Sequence, residues 1–167
     1  MTMEPDPVAG APADFDATFR AHYWPMVRAL TVACGDGEVA ADAVQDAFIR
    51  AYARWRRIAR YDDPVGWIRH VAVNRIRDHF RRMERRRRAL DRLGHRTEHV
   101  VPGPEPATDL APLLENLAPQ QRIAVSLFYV EQCSVREIAR AMQISEGAVK
   151  YHLHAGRAAL KGLVESL

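Results

Sequence analysis

Wherever apolar residues in this chain form a pattern, they fall three and four positions apart. Ala40, Val44, Ala47, Phe48, Ala51 and Trp55 do so after a Gly-Asp-Gly break at 35–37, where Asp36 is placed to cap a helix. Phe15, Phe19, Tyr23, Val27 and Leu30 do so before the break. Ile68, Ala72, Ile76, Phe80 and Met83 follow suit beyond the Asp-Pro and Gly of a loop at 58–66. Such spacing gathers each set on one side of an α-helix. No stretch alternates at period two and none repeats, so the expected fold is all-α.

The pattern stops in one long stretch. From Gly94 to Asp109 periodicity is lost, and three prolines crowd residues 102–106, as in an extended linker. Two small helical domains are therefore expected: a helical bundle over 14–92 and a second unit over 111–167. A tail at 1–13, rich in Pro, Ala and Gly, and the linker at 93–110 complete the chain. The run of four arginines at 85–88 is expected to close the third helix, and Pro119 to sit in the first turn of a later one.

Charge is divided as unevenly as pattern. Residues 1–50 hold eight acids against three bases, whereas residues 67–88 hold nine arginines against Asp78 and Glu84. Like charges so crowded cost stability unless a polyanion answers them. An acidic surface for one partner and a basic surface for nucleic acid are the expectation. No run of about 18 apolar residues exists, and the N-terminal stretch has neither a basic leader nor an apolar core, so a cytoplasmic chain without membrane insertion is expected. Cys34 and Cys133 lack any ligand spacing and read as small core residues.

The stretch from Ser134 to Leu160 is the most informative. Ser134 and Glu137 form a capping box, a helix runs to about Met142, and Ser145 can cap a second helix. That second helix turns Val149, Leu153, Gly156, Leu160 and Leu163 inward. Lys150, His154, Arg157 and Lys161 line the other side, with Glu146 and Tyr151 beside them. A cationic helix presented in this way suits the major groove of DNA.

Taken in order, the helix AADAVQDAFIRAYARW, the segment WIRHVAVNRIRDHFRR, the proline-rich linker and LENLAPQQRIAVSLFYVEQCSVREIARAMQISEGAVKYHLHAGRAAL resemble the extracytoplasmic function group of bacterial sigma factors. The resemblance covers roughly residues 14–165. It implies a transcription initiation factor that binds core RNA polymerase and directs it to promoters. Asp42, Gln45, Asp46 and Arg50 would dock on the clamp helices of the largest polymerase subunit, and the second domain would meet the flap of the second-largest. Arg60, Tyr61, Asp62 and Asp63 would pocket an unstacked base of the minus-10 element. Asn74 and Asp78 would lie near bases, and Arg69, Arg77, Arg81 and Arg82 at phosphates.

In the second domain the resemblance implies minus-35 reading by the helix from Ser145, with Glu146, Lys150, Tyr151, His152, His154 and Arg157. Members often carry arginine where this chain has Phe128 and Ala155, so one phosphate contact and one groove contact are either missing or supplied by Arg122 or Arg136. Phe128 suits either core or a partner surface, and Trp67 either core or base stacking. The acidic stretch 103–117 suits either a nucleic-acid mimic or a plain spacer. An anti-sigma partner is implied too.

Two other classes compete. An autonomous helix-turn-helix regulator accounts for 119–165 but leaves the acidic and arginine-rich helices without work. An enzyme lacks its groups: His95 and His99 sit in the linker without a third ligand, Asp62 and Asp63 are adjacent and point apart, and there is no phosphate-binding glycine loop. No catalytic residue, metal or cofactor is expected.

Overall fold

A computed structural model describes residues 14–94 and 111–165. The expected tail and most of the linker, including His95 and His99, lie outside the described residues. The regular elements among the described residues are all helices: α1 (Phe15–Cys34), α2 (Gly37–Ala53), α3 (Trp55–Ile58), α4 (Pro64–Arg92), α5 (Ala111–Leu114), α6 (Pro119–Tyr129), α7 (Val135–Met142) and α8 (Glu146–Glu165).

Local chemistry sets the boundaries. Asp36 does cap α2, its Oδ1 accepting the Glu38 and Val39 amides at 3.0 and 3.2 Å. Gly35, at φ 73°, turns the chain out of α1 in the left-handed conformation that glycine adopts freely. At the start of α4, Pro64 takes the first turn and Asp63 Oδ1 accepts the Gly66 amide at 2.9 Å. A Cβ at residue 66 would lie 2.1 Å from Asp63 Oδ2, so the folded-back carboxylate requires glycine there. Gly66→Ala is expected to lose the cap and destabilise the fold by about 1–2 kcal/mol, read by chemical denaturation.

The third long helix does not end where the sequence suggested. It continues through the arginine run to Arg92, because acids are interleaved at helical spacing. Glu84 takes Arg87 and Arg88, and Arg87 also reaches Asp91. This last stretch overshoots the packed body. Met83, expected on the apolar side, is 52% exposed for that reason.

Two sets of helices build the core. Leu30, Val44, Ala47, Ile68, Ala72 and Ile76 close α1, α2 and α4 on one another, and an aromatic cluster of Phe15, Phe19, Tyr23, Phe48 and Tyr52 pins α1 to α2. Leu117, Ile123, Leu127, Ile138, Met142, Val149 and Leu153 do the same for α6, α7 and α8. The two sets are not held apart: α1 lies along α6 and α4 along α7, and the buried residues form a continuous cluster. Cys133 is buried and Cys34 half-buried. Burial pushes their thiols up to about 12 and about 11, so both stay protonated and inert.

Candidate nucleic-acid and polymerase interfaces

The turn before α8 shows how its outer face is aimed. Ser134 and Glu137 make the reciprocal capping bonds expected of them, at 3.1 and 3.3 Å. Gln143 then adopts φ 54°, and the Ile144 amide reaches back to the Ala139 carbonyl, a Schellman closure built on glutamine where glycine is commoner. Ser145 Oγ accepts the Ala148 amide at 3.1 Å and starts α8. With Val149 and Leu153 buried, Glu146, Lys150, Tyr151, His154 and Arg157 stand exposed. His152 is half-buried, and burial, with Arg77 second, holds its pKa below the usual histidine value. Arg136 lines a shallow groove with Arg140, Gln143 and Glu146.

Phe128 proves to be neither simple core nor idle surface. The Arg157 guanidinium sits 5.5 Å from its ring centroid and 5.6 Å from that of Tyr129, and Arg157 Nε donates to the Tyr129 hydroxyl. The two rings, themselves edge-to-face at 4.9 Å, hold the arginine in place. Sequence reading passed over Tyr129, although an aromatic pair ending a helix opposite an exposed arginine is a legible cue. Tyr129→Phe, which keeps the ring and drops the hydroxyl, is expected to weaken duplex DNA binding by about threefold to tenfold, the worth of one hydrogen bond. Fluorescence anisotropy with promoter duplex checks this.

Along α4 the residues assigned to DNA divide between two faces. Asn74, Asp78, Arg81 and Arg82 are exposed together on the outer face, with Arg81 Nη1 bridging to Asp78 at 3.1 Å. Arg77 stands at the border. Burial and the neighbouring Arg81 both pull its pKa down, its Nε is buried without a partner, and its Nη2 donates to Gln120 at 3.2 Å. Arg69 does not join the outer group: it is 5% exposed and paired with Glu131. In the loop, Arg60, Tyr61 and Asp62 are exposed, while Asp63 is committed to capping and to Arg140 at 3.3 Å. Trp67 is half-buried and packs on the core.

The acidic side of α2 is also formed. Asp42, Gln45 and Arg50 are exposed, and Asp46 Oδ2 accepts both Arg50 Nε and Arg75 Nε at 2.9 Å. Ile49 and Tyr52, 60% and 70% exposed, add apolar area to this face. They were missed, yet they lie outside the buried stripe of α2, which is the signal that would have found them. Among the described residues, no three or more His, Cys, Asp and Glu are grouped to hold a metal, and no helix is long and apolar enough to cross a membrane.

Comparison with known proteins identifies the family of both halves of the chain. Residues 18–93 match the family model for Sigma-70 region 2, and residues 109–160 that for Sigma-70, region 4. An ECF RNA polymerase sigma factor, SigM of Mycobacterium tuberculosis, is 32% identical over 162 residues, spanning 94% of this chain and 80% of the relative. The RNA polymerase sigma-E factor of Streptomyces coelicolor is 30% identical over 160 residues, 91% of this chain and 86% of that one. The sigma factor RpoE of Bartonella quintana, solved in complex with the anti-sigma factor NepR, superposes with TM-score 0.70 at 22% identity, over 91% of this chain and 97% of that one. CnrH, solved with the cytosolic domain of CnrY, gives 0.63 at 23%, over 91% and 88%. With both regions in order on one polypeptide and relatives aligned along nearly all of it, the chain belongs to the extracytoplasmic function group of sigma-70 factors, which bind RNA polymerase and start transcription at chosen promoters.

Proposed function

We propose a division of labour among the surfaces of this sigma factor. The α2 face of Asp42, Gln45, Asp46 and Arg50, extended by Ile49 and Tyr52, docks on the clamp helices of the largest polymerase subunit. The loop at 60–63 and the outer face of α4 take the separated minus-10 strand. The first turns of α8, with Arg136 and the cradled Arg157, read the minus-35 duplex, and this second domain rests on the polymerase flap. The domains are 14–92 and 111–167.

The observation that carries the reading is the sorting of charge by face. Exposed α4 arginines outnumber their acids, α8 turns cations outward at groove spacing, and the acids of α2 lie on a separate helix. An anion partner for the first two surfaces and a protein partner for the third follow from that sorting. Because a structurally similar sigma factor was solved with an anti-sigma factor, a partner of that kind is proposed here as well. A cytoplasmic place and the absence of catalysis by the chain alone belong to the same reading.

The deciding experiment is transcription in vitro with purified core polymerase on genomic fragments that include the chain's own upstream region. Discrete start sites that require the chain support the reading, and their alignment gives both promoter elements. A chain that shifts duplex DNA unaided yet never supports transcription would behave as an autonomous regulator and sink it.

A further inference from the structure

Between α2 and the loop that leads into α4, four arginines fall within seven residues, and the proposed function uses only the last of them. Arg54, Arg56, Arg57 and Arg60 are all exposed. The short α3 parts them from its apolar side: Ile58 and Ala59 are buried, and Trp55 meets Phe15 edge-to-face with ring centroids 5.2 Å apart. Sequence reading took Trp55 as the end of the α2 stripe and passed over the arginines around it.

The arginines stand on a backbone that is already fixed. The Arg57 and Ile58 amides donate to the Arg54 carbonyl, each at 3.0 Å, Ala59 donates to Trp55 at 2.8 Å, Arg60 to Arg57 at 3.2 Å and Tyr61 to Ile58 at 3.0 Å. Elsewhere arginines answer acids on their own helix, as Arg50 does Asp46, Arg81 does Asp78 and Arg87 does Glu84. Among the described residues, none of these four is paired with an acid. Asp63, just beyond them in sequence, is held by the α4 cap and by Arg140. Like charges left uncompensated on a rigid turn suit a polyanion.

Position selects which polyanion. Arg60 leads directly into the loop proposed to take the unstacked base, where Tyr61 is 37% exposed and offers a ring for stacking. The outer group on α4 begins at Asn74, ten residues beyond Pro64 and so about 15 Å along the helix. A strand with one base in the loop has two flanks, and a helix running away from the loop serves one of them. Since α4 runs on toward the linker and the domain assigned to the minus-35 element, its flank leads upstream. The other flank runs 3′, toward the start site, past the turn that carries Arg54, Arg56 and Arg57.

We propose that Arg54, Arg56 and Arg57 clasp the phosphates of the unpaired strand immediately downstream of the minus-10 element, apart from the contacts of α4. This inference rests on the proposed role of the loop and α4.

The test uses the chain assembled with core polymerase and fluorescein-labelled forked DNA from a promoter mapped in the transcription experiment. In one fork the unpaired strand stops at the end of the minus-10 element, and in the other it continues 3′ for about six thymidines. The tail is expected to tighten wild-type binding, and Arg54→Gln, Arg56→Gln and Arg57→Gln together to remove about tenfold of that gain, the worth of one charge-assisted bond. The log–log salt slope of the tailed fork should flatten by about 2, at about 0.7 for each single-strand phosphate released. Should the triple variant fail to fold, Arg56→Gln with Arg57→Gln decides, because it leaves the α2 C-cap residue in place. Arg20→Gln with Arg28→Gln, both exposed on α1, removes the same charge as that pair and should keep the gain.

A tail that adds nothing to wild-type binding overturns the clasp. So does a variant that keeps the whole gain or weakens both forks alike, or a control that loses as much as the α3 pair. Beside a wild-type chain that initiates, any of these results removes the clasp alone. A wild-type chain that initiates at no promoter removes the role of the loop and α4, and the clasp with it.

Discussion

Alanine at both Arg77 and Arg81 is expected to cut promoter opening on the order of a hundredfold while leaving affinity for core polymerase within about twofold. In the proposed strand contact each arginine would supply a charge-assisted bond to a phosphate, worth about 1.5–3 kcal/mol, and neither lies on the α2 face. Asp46→Arg should do the reverse. It places a third cation beside Arg50 and Arg75, both of which now donate to Asp46, and turns the proposed docking face basic. Like-charge juxtaposition across an interface costs several kcal/mol, so assembly should fall by about a hundredfold or more.

Permanganate reactivity of unpaired thymines reads opening, and anisotropy of labelled chain with core polymerase reads assembly. Two controls keep the readings separate. Asp46→Asn breaks the local ion pairs without adding charge, so its melting temperature isolates any loss of fold. Arg81→Ala alone leaves the Arg77–Gln120 bridge in place, so its opening defect owes nothing to that contact. Loss of both functions in either charge variant would count against the proposed division.

Why some of this was legible in sequence and some was not follows from the range of the forces involved. The caps at Asp36 and Ser134 were legible because a capping carboxylate or hydroxyl and the amides it accepts lie within three residues. The α8 stripe was legible because burying Val149 and Leu153 leaves Lys150, His154 and Arg157 nowhere to go but outward. The true end of α4 was not, since the arginine run read as a block and the pairing of Glu84 and Asp91 with it emerges only on a helix already formed. Nor was the fate of Arg69. In sequence it is one of nine arginines, and only the packing of α4 on α7 brings Glu131 to it. Tyr129 shows the same limit: its hydroxyl matters because α6 and α8 pack together, not because of any neighbour in the chain.

That crossing gives the second large effect, Gly156→Val. A Cβ at residue 156 would lie 2.6 Å from Val125 Cγ2, far inside contact distance, and 3.8 Å from Leu117 Cδ1. Alanine at a helical glycine ordinarily stabilises by about 1 kcal/mol. Here the sign should invert, since the added methyl must push α8 off a core packed to crystal-like density. Alanine is expected to cost about 1–3 kcal/mol, and valine, with two further methyls on a branched carbon, more than that. Gly162→Ala in the same helix is the control: a Cβ there meets nothing within 4 Å, so it should gain up to about 1 kcal/mol. Thermal melts of the three variants measure the inversion directly. Because α8 is positioned by this contact, Gly156→Val should also lose minus-35 duplex binding while polymerase binding through α2 survives. A Gly156→Ala chain stabilised as much as Gly162→Ala would mean that α6 and α8 do not approach each other at this point, and the aim of the reading helix would need another explanation.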